Sequence, residues 1–184
     1  MESINALVII DMQYDLCNGG PLAFERSLNI IPIINRIRDE YDHIIFVKRS
    51  YPDNHSTFKQ YGGKHPKHCV NGTDGEKIHN DIIMSINDTI IARGNLQKYG
   101  SSSAFYDAED IERETRLKPI LKINNIKKLY FCGNDFENTI FSTIMDAIKF
   151  NYKCCVIKDA ITYNDKEKME KTIEYLKKLN VEII

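Results

Sequence analysis

At 184 residues and 21.3 kDa, the chain is long enough for one domain with a substantial core. Its 25 basic and 26 acidic residues leave a formal charge of -1, too little basic excess to neutralise a phosphate backbone, which argues against nucleic acid as a partner. No apolar run approaches the ~18 residues of a membrane span, the first residues lack the basic and cleavage regions of a secretory signal, and the five cysteines are odd in number and irregularly spaced; the expectation is a cytoplasmic protein with free thiols and no membrane partner.

Residues 6–10 form a continuous apolar run ended by Asp11, the pattern of a strand buried on both faces of a parallel sheet. Ile30, Ile33, Ile34 and Ile37 recur at spacings of three and four, which predicts a helix over 27–40. Residues 43–48 read as the second strand, followed by a long polar, glycine-containing stretch from about 49 to 75. Residues 86–92 read as a short third strand, and 94–103 as a Gly/Ser-rich loop. A helix is predicted over 112–124, with Pro119 awkward inside it. Residues 128–133 are a strand, 140–151 a helix, 153–157 a strand, 165–179 a charged amphipathic helix and 181–184 a last strand.

This recurring order predicts one α/β domain over 1–184, a doubly wound parallel sheet with helices on both faces. Ligands in such folds sit beyond the carboxyl ends of the strands. That directs attention to Asp11, Arg49, Arg93 and residues 133–139. An acid directly after a buried strand is either a binding or catalytic carboxylate or a turn cap. His55, His65 and His68 lie in the loop after the second strand, where they are either metal ligands or ordinary polar loop residues. Neither GxGxxG nor a phosphate-binding loop of the P-loop type occurs.

Four segments, in order, resemble one family. Asp11-Met12-Gln13-Tyr14-Asp15, extended by Asn18-Gly19-Gly20 and Leu22, resembles the D-x-Q-x-D opening of the isochorismatase-like hydrolases. His68-Cys69-Val70-Asn71-Gly72-Thr73 resembles the H-C-V-x-G-T segment of their nicotinamidase branch. Tyr99 and Ser103-Ala104-Phe105 resemble the loop after the third strand, and residues 133–147 align without a gap to the nucleophile segment. The resemblance implies a six-stranded parallel sheet flanked by helices, commonly in a homo-oligomer. It implies an Asp–Lys–Cys triad in which a thiolate attacks a carboxamide carbonyl, and a cis-peptide loop whose N–H groups hold the oxyanion. In nicotinamidases it also implies a divalent metal held by one Asp and three His.

The sequence departs from that pattern where the chemistry lies. Asp11 matches the family Asp, but Arg93 stands at the Lys position and Thr139 at the Cys position. Cys132 lies seven residues earlier, inside a strand, and Cys154 and Cys155 belong to the next strand. At the vestigial metal positions, Arg49 replaces the Asp and Tyr51 one His, leaving His55 and His68. A permanent guanidinium charge repels a cation and is expected to take its place, so no metal is predicted; the alternative is weak zinc, manganese or iron binding at His55 and His68. The substrate-pocket positions are matched by Leu16, His65, Tyr99, Phe105 and Asp135. Thr139 at a helix start is expected to cap free N–H groups rather than to act as a nucleophile.

The reading is a catalytically impaired homologue that keeps a pocket for a small molecule, nicotinamide-like or a small anion held by Arg49 and Arg93. Two rivals stand beside it. One is an active hydrolase on another substrate, with Asp11 and an acid such as Asp135 or Glu137 activating water. The other is a structural subunit with a vestigial pocket.

Overall fold

In chain order, the computed structural model, which describes residues 3–184, contains strands β1 (Asn5–Ile10), β2 (His43–Arg49), β3 (Thr89–Arg93), β4 (Tyr106–Ala108), β5 (Arg113–Glu114), β6 (Lys128–Gly133), β7 (Lys153–Ile161) and β8 (Glu182–Ile183). Between them lie helices α1 (Ser27–Ile37), α2 (Leu117–Ile123), α3 (Phe141–Lys149) and α4 (Lys166–Lys178). Six strands form one parallel sheet in the order β3-β2-β1-β6-β7-β8, and β4 and β5 form a separate antiparallel pair.

Alternation along each strand sorts the core into two layers. Ala6, Val8 and Ile10 face the side covered by α2, α3 and α4, with Ile144, Leu121 and Ile173 among their neighbours. Leu7 and Ile9 face the opposite side, against Ile30, Ile31 and Ile34 of α1. The handedness of βαβ crossovers explains the split. The chain winds outward in one direction from β1 to β3 and in the other from β6 to β8, so right-handed connections place α1 on one face and α3 and α4 on the other. The winding reverses between β1 and β6, which creates the crevice where such folds bind ligands.

Helix limits differ from expectation where local chemistry intervenes. Residues 112–114 are not helical; Glu112 adopts φ 52° and the chain turns into β5. The helix starts at Leu117, which places Pro119 in its first turn, where an N–H has no intrahelical partner to lose. Ile86, expected in the third strand, is 99% exposed, and β3 begins at Thr89. Before α3 the chain makes a π-helical turn over Phe136–Ile140. β7 runs four residues past its predicted end, to Ile161, which brings Thr162 beside residues 134–136.

The stretch between β2 and β3 contains no α-helix yet is ordered. Tyr51 and Val70 form a bridge, as do Phe58 and His65. A small apolar cluster of Leu16, Phe24, Tyr51, Phe58, Cys69 and Val70 anchors the segment over the carboxyl ends of β1 and β2. Gly133 ends β6 at φ 114°, and a Cβ there would lie 2.1 Å from the Ile10 carbonyl oxygen; only glycine permits this approach of β6 to β1.

Candidate functional site

Parallel register brings the charged strand ends together. Arg49 and Arg93 are the last residues of β2 and β3 and pair directly across the sheet. Asp11 follows β1 on the next strand, in the left-handed region at φ 56°, with its N–H bonded to the Val47 carbonyl at 2.8 Å. Two like charges side by side demand a counter-charge. Asp11 supplies it: one carboxylate oxygen, Oδ2, accepts from Arg49 Nε at 2.6 Å and from Arg93 Nη2 at 2.7 Å. Asp11 is 0% and Arg93 1% exposed, so these are buried ion pairs.

A second carboxylate completes the cluster. Asp135, at φ 64°, turns its side chain inward; Oδ2 accepts from Arg49 Nη2 at 3.1 Å and Oδ1 accepts from Asn138 Nδ2 at 2.7 Å. Thr139 lies between the charges. Its hydroxyl accepts from Arg49 Nη2 at 3.3 Å and Arg93 Nη2 at 3.4 Å, and donates to Asp135 Oδ2 at 3.3 Å. The expected helix cap is therefore replaced: the Thr139 hydroxyl is engaged by charged side chains, because the π-helical turn carries it over the strand ends. Burial opposes the charge on Arg49, but Asp11, Tyr51 and Asp135 outweigh it and hold its pKa above the ordinary arginine value.

Above the cluster is a cavity of about 730 Å³. Arg49, Arg93, Asp135 and Thr139 form its floor; Phe24, Tyr51, His55, His65 and His68 line its sides, and Glu109 and Asp110 lie at its edge. Of the pocket positions expected from sequence, His65 and Asp135 line it. Leu16, Tyr99 and Phe105 do not. Leu16 is wholly buried in the Phe24–Phe58 cluster, and Phe105 packs against Phe150 and Tyr152 at ring separations of 5.1 and 6.4 Å. Tyr99 contributes its backbone carbonyl, which accepts from His55 Nε2 at 3.0 Å. Sequence reasoning missed Phe24, Asn138, Glu109 and Asp110 as cavity residues; the spacing of Asn138 three residues after Asp135 is the one local signal available.

Arg49 and Arg93 are charge-balanced where they line the cavity. Their counter-charges come from the protein itself, and Arg93 Nη1 is further engaged by the Ser101 carbonyl. Glu137 is not among the residues that line the cavity, and its Oε1 accepts from the N–H groups of Asn164 and Asp165 at 2.9 and 3.0 Å.

This arrangement can be set against known proteins. The isochorismatase domain family matches residues 5–184. The chain belongs to the isochorismatase family. Within it, a nicotinamidase of Acinetobacter baylyi is 30% identical over 171 residues, spanning 84% of this chain and 79% of that protein. A nicotinamidase/pyrazinamidase of Mycobacterium tuberculosis is 24% identical over 187 residues, 98% of each chain. The pyrazinamidase of Pyrococcus horikoshii, solved in complex with zinc, superposes with a TM-score of 0.88 at 28% identity and 98% coverage of both chains.

As an isochorismatase-family chain, this one does not offer a fitting metal donor set. Among the described residues, no group of three or more His, Cys, Asp or Glu side chains converges. His55 Nδ1 accepts from the Thr57 N–H at 3.1 Å, which places its proton on Nε2 facing the Tyr99 carbonyl. Both ring nitrogens are thus committed. His68 Nδ1 faces the Pro66 carbonyl at 2.7 Å, leaving Nε2 free. Tyr51 lies between the two imidazoles, with ring separations of 4.4 and 5.3 Å, and Arg49 brings a fixed positive charge. The weak divalent site expected at His55 and His68 therefore lacks a second lone pair. Burial lowers the His68 pKa to about 4, with Arg49 adding to the effect, so the ring is neutral near pH 7.

No cysteine is among the residues that line the cavity. All five cysteines are buried and free. Burial raises the pKa of each, to about 12 for Cys154 and about 11 for Cys155. A native-state titration with a thiol reagent near neutral pH is expected to find no fast-reacting group, with all five appearing after denaturation. Among the described residues there is no cis peptide bond. The N–H groups of Asn134, Asp135 and Phe136 donate to the Ile10 carbonyl, the Thr162 hydroxyl and the Thr162 carbonyl, respectively.

Proposed function

We propose that this protein is a nicotinamidase-like member of its family that has lost thiol-dependent hydrolysis and acts by binding a small molecule in the 730 Å³ cavity. The observation that carries this reading is the setting of Thr139. Its hydroxyl is held by two guanidiniums that stay charged and cannot accept its proton. Asp11, the family's general base, is saturated on Oδ2 by Arg49 and Arg93 and makes no hydrogen bond to Thr139. An alcohol needs a stronger base than a thiol does, and both changes remove base strength. The engaged N–H groups of residues 134–136 support the same reading, since oxyanion stabilisation requires free donors. The cavity itself is of the size that holds small ligands.

One contact favours a second reading. The Thr139 hydroxyl donates to Asp135 Oδ2 at 3.3 Å, which makes Asp135 the group to activate an alcohol or water in a different hydrolase. Ammonia release from nicotinamide, with and without added zinc, manganese or iron, separates the two. The expected result is no release above background under any metal. Release that disappears in Thr139→Ala would make Thr139 a nucleophile and replace the first reading by the second.

A further inference from the structure

An apolar patch lies away from the cavity, on the α1 side of the sheet beside β3. Ile83, Met84, Ile86 and Ile90 are 56%, 41%, 99% and 40% exposed. A slack loop does not explain this exposure, because the segment that carries it is locked. Residues 85–88 form a turn in which the Asp88 N–H donates to the Ser85 carbonyl at 3.1 Å and the Ser85 N–H donates to Asp88 Oδ2 at 2.6 Å. Arg38, just past α1, clamps that turn. Its Nη2 donates to the two Asp88 oxygens at 2.8 and 2.9 Å, and its Nη1 donates to the Ile83 carbonyl at 2.6 Å. Both side chains of this ion pair are buried. A buried pair thus holds a turn that presents an isoleucine to water. The neighbouring strand is open as well. β3 is the outer strand of the sheet, and among the described residues no strand pairs with its free side. Edge strands are ordinarily protected by lysine, proline or a bulge. Thr89-Ile90-Ile91-Ala92-Arg93 has no lysine or proline, pairs with β2 in continuous register, and turns its one charge into the floor of the site.

We propose that this face binds a second copy of the chain across a two-fold axis, with the β3 strands antiparallel and Ile83, Met84, Ile86 and Ile90 of the two copies in contact. A two-fold contact requires a surface that complements itself. Here apolar residues meet apolar residues, and the free backbone groups of an edge strand match those of the same strand run antiparallel. The flank also carries both signs of charge. Arg36, Asp39 and Glu40 are exposed at the end of α1, next to the clamp residue Arg38. A two-fold can set the arginine of one copy against the acids of the other, which fixes register and disfavours a shifted pairing. The exposed parts of the four apolar side chains amount to about 400 Å² per copy, about half of the roughly 800 Å² per partner in a standard stable interface. They form the apolar centre, and the strand edge and charged flank supply the rest. A lone peptide strand would pair with the edge but bring no surface for the turn or for the end of α1; a second folded copy brings both. This inference is independent of what the cavity binds.

Sedimentation equilibrium of the full chain, from about 1 to about 100 µM, tests it. The expected mass at the upper end is twice 21.3 kDa. Ile86→Asp places a charge at the centre of the contact and is expected to raise the dissociation constant of the dimer by at least about thirtyfold, the effect of losing an anchor residue. Ile86 touches solvent on nearly all sides, so the substitution leaves the core of the single copy unchanged, which circular dichroism checks. Hydrogen exchange on the unaltered protein gives a second readout. The amides of residues 83–91 are expected to exchange more slowly in concentrated than in dilute samples, whereas those of β8, the opposite edge strand, are expected to exchange alike in both. A single copy at every concentration, association that Ile86→Asp leaves as strong as before, or protection that appears on β8 and not on residues 83–91 would each overturn the proposal.

Discussion

Asp11→Asn is expected to destabilise the protein by about 3–5 kcal/mol, the cost of removing one partner from a buried ion pair. The side chain holds two guanidiniums through a single oxygen, and both arginines are almost wholly buried. Asparagine matches the carboxylate in shape and tolerates the left-handed backbone at φ 56°. The variant therefore isolates the charge from steric and backbone effects. With it in place, Asp135 alone would face Arg49, and Arg93 would have no carboxylate within hydrogen-bond distance. Urea unfolding checks this through a lower midpoint at unchanged slope. A loss below about 1 kcal/mol would mean that water, rather than Asp11, neutralises the arginines.

Thr139→Cys is expected to create the single fast-reacting thiol of the native protein. The new sulfur would replace a hydroxyl that lies 3.3 and 3.4 Å from two guanidinium nitrogens, and nearby cations stabilise a thiolate. The native thiols are held the other way by burial, the least shifted numerical case being Cys155 at about 11. Alkylation by iodoacetamide at pH 7.5 should therefore be at least about a hundredfold faster in the variant than in the parent. Ammonia release from nicotinamide should nevertheless stay at background. Arg93 does not exchange its proton, and the Asp135 N–H remains bonded to Thr162. Fast alkylation without turnover would show that a thiol at this position is not enough for hydrolysis. Turnover in Thr139→Cys would show that one atom separates this chain from an enzyme. A thiol that resists alkylation would mean that the arginines are spent entirely on Asp11 and Asp135.

Four residues at the floor of the site form one connected set. Arg49, Arg93, Asp135 and Thr139 touch one another or share a partner. Two guanidiniums at adjacent strand ends would be costly beside Asp11 alone. The carboxylate of Asp135, which accepts from Arg49, offsets the second charge. This is the physical reason to treat the four positions together in any attempt to rebuild the triad.

Much of this was legible in the amino-acid sequence, and the boundary has a physical cause. Apolar runs at 6–10 and 128–133, and helical periodicity at 27–40 and 165–179, are short-range patterns that follow from pleat and helix geometry. They were enough for a six-stranded parallel sheet and for placing Asp11, Arg49, Arg93 and Thr139 at its carboxyl edge. The expectation that Arg93, Thr139, Arg49 and Tyr51 stand where the family pattern has other residues came from the resemblance, because it concerns residue identity. What side chains do at those positions was not. Whether Asp135 points at Arg49 depends on a left-handed backbone turn, and whether Thr139 caps a helix depends on a π-helical turn. Leu16 and Phe105 stand at positions matched to a pocket yet belong to the core, because segments distant in sequence pack over them. The chain from 50 to 88 has no period to read; its order comes from contacts such as Tyr51 with Val70 and Gln13 with Ile78. Sequence by itself determined the sheet and the strand ends at which the charged residues stand. Only the tertiary structure decided how the buried charges are paired and which acceptor is left open, because those outcomes depend on directions of side chains brought together from four strand ends.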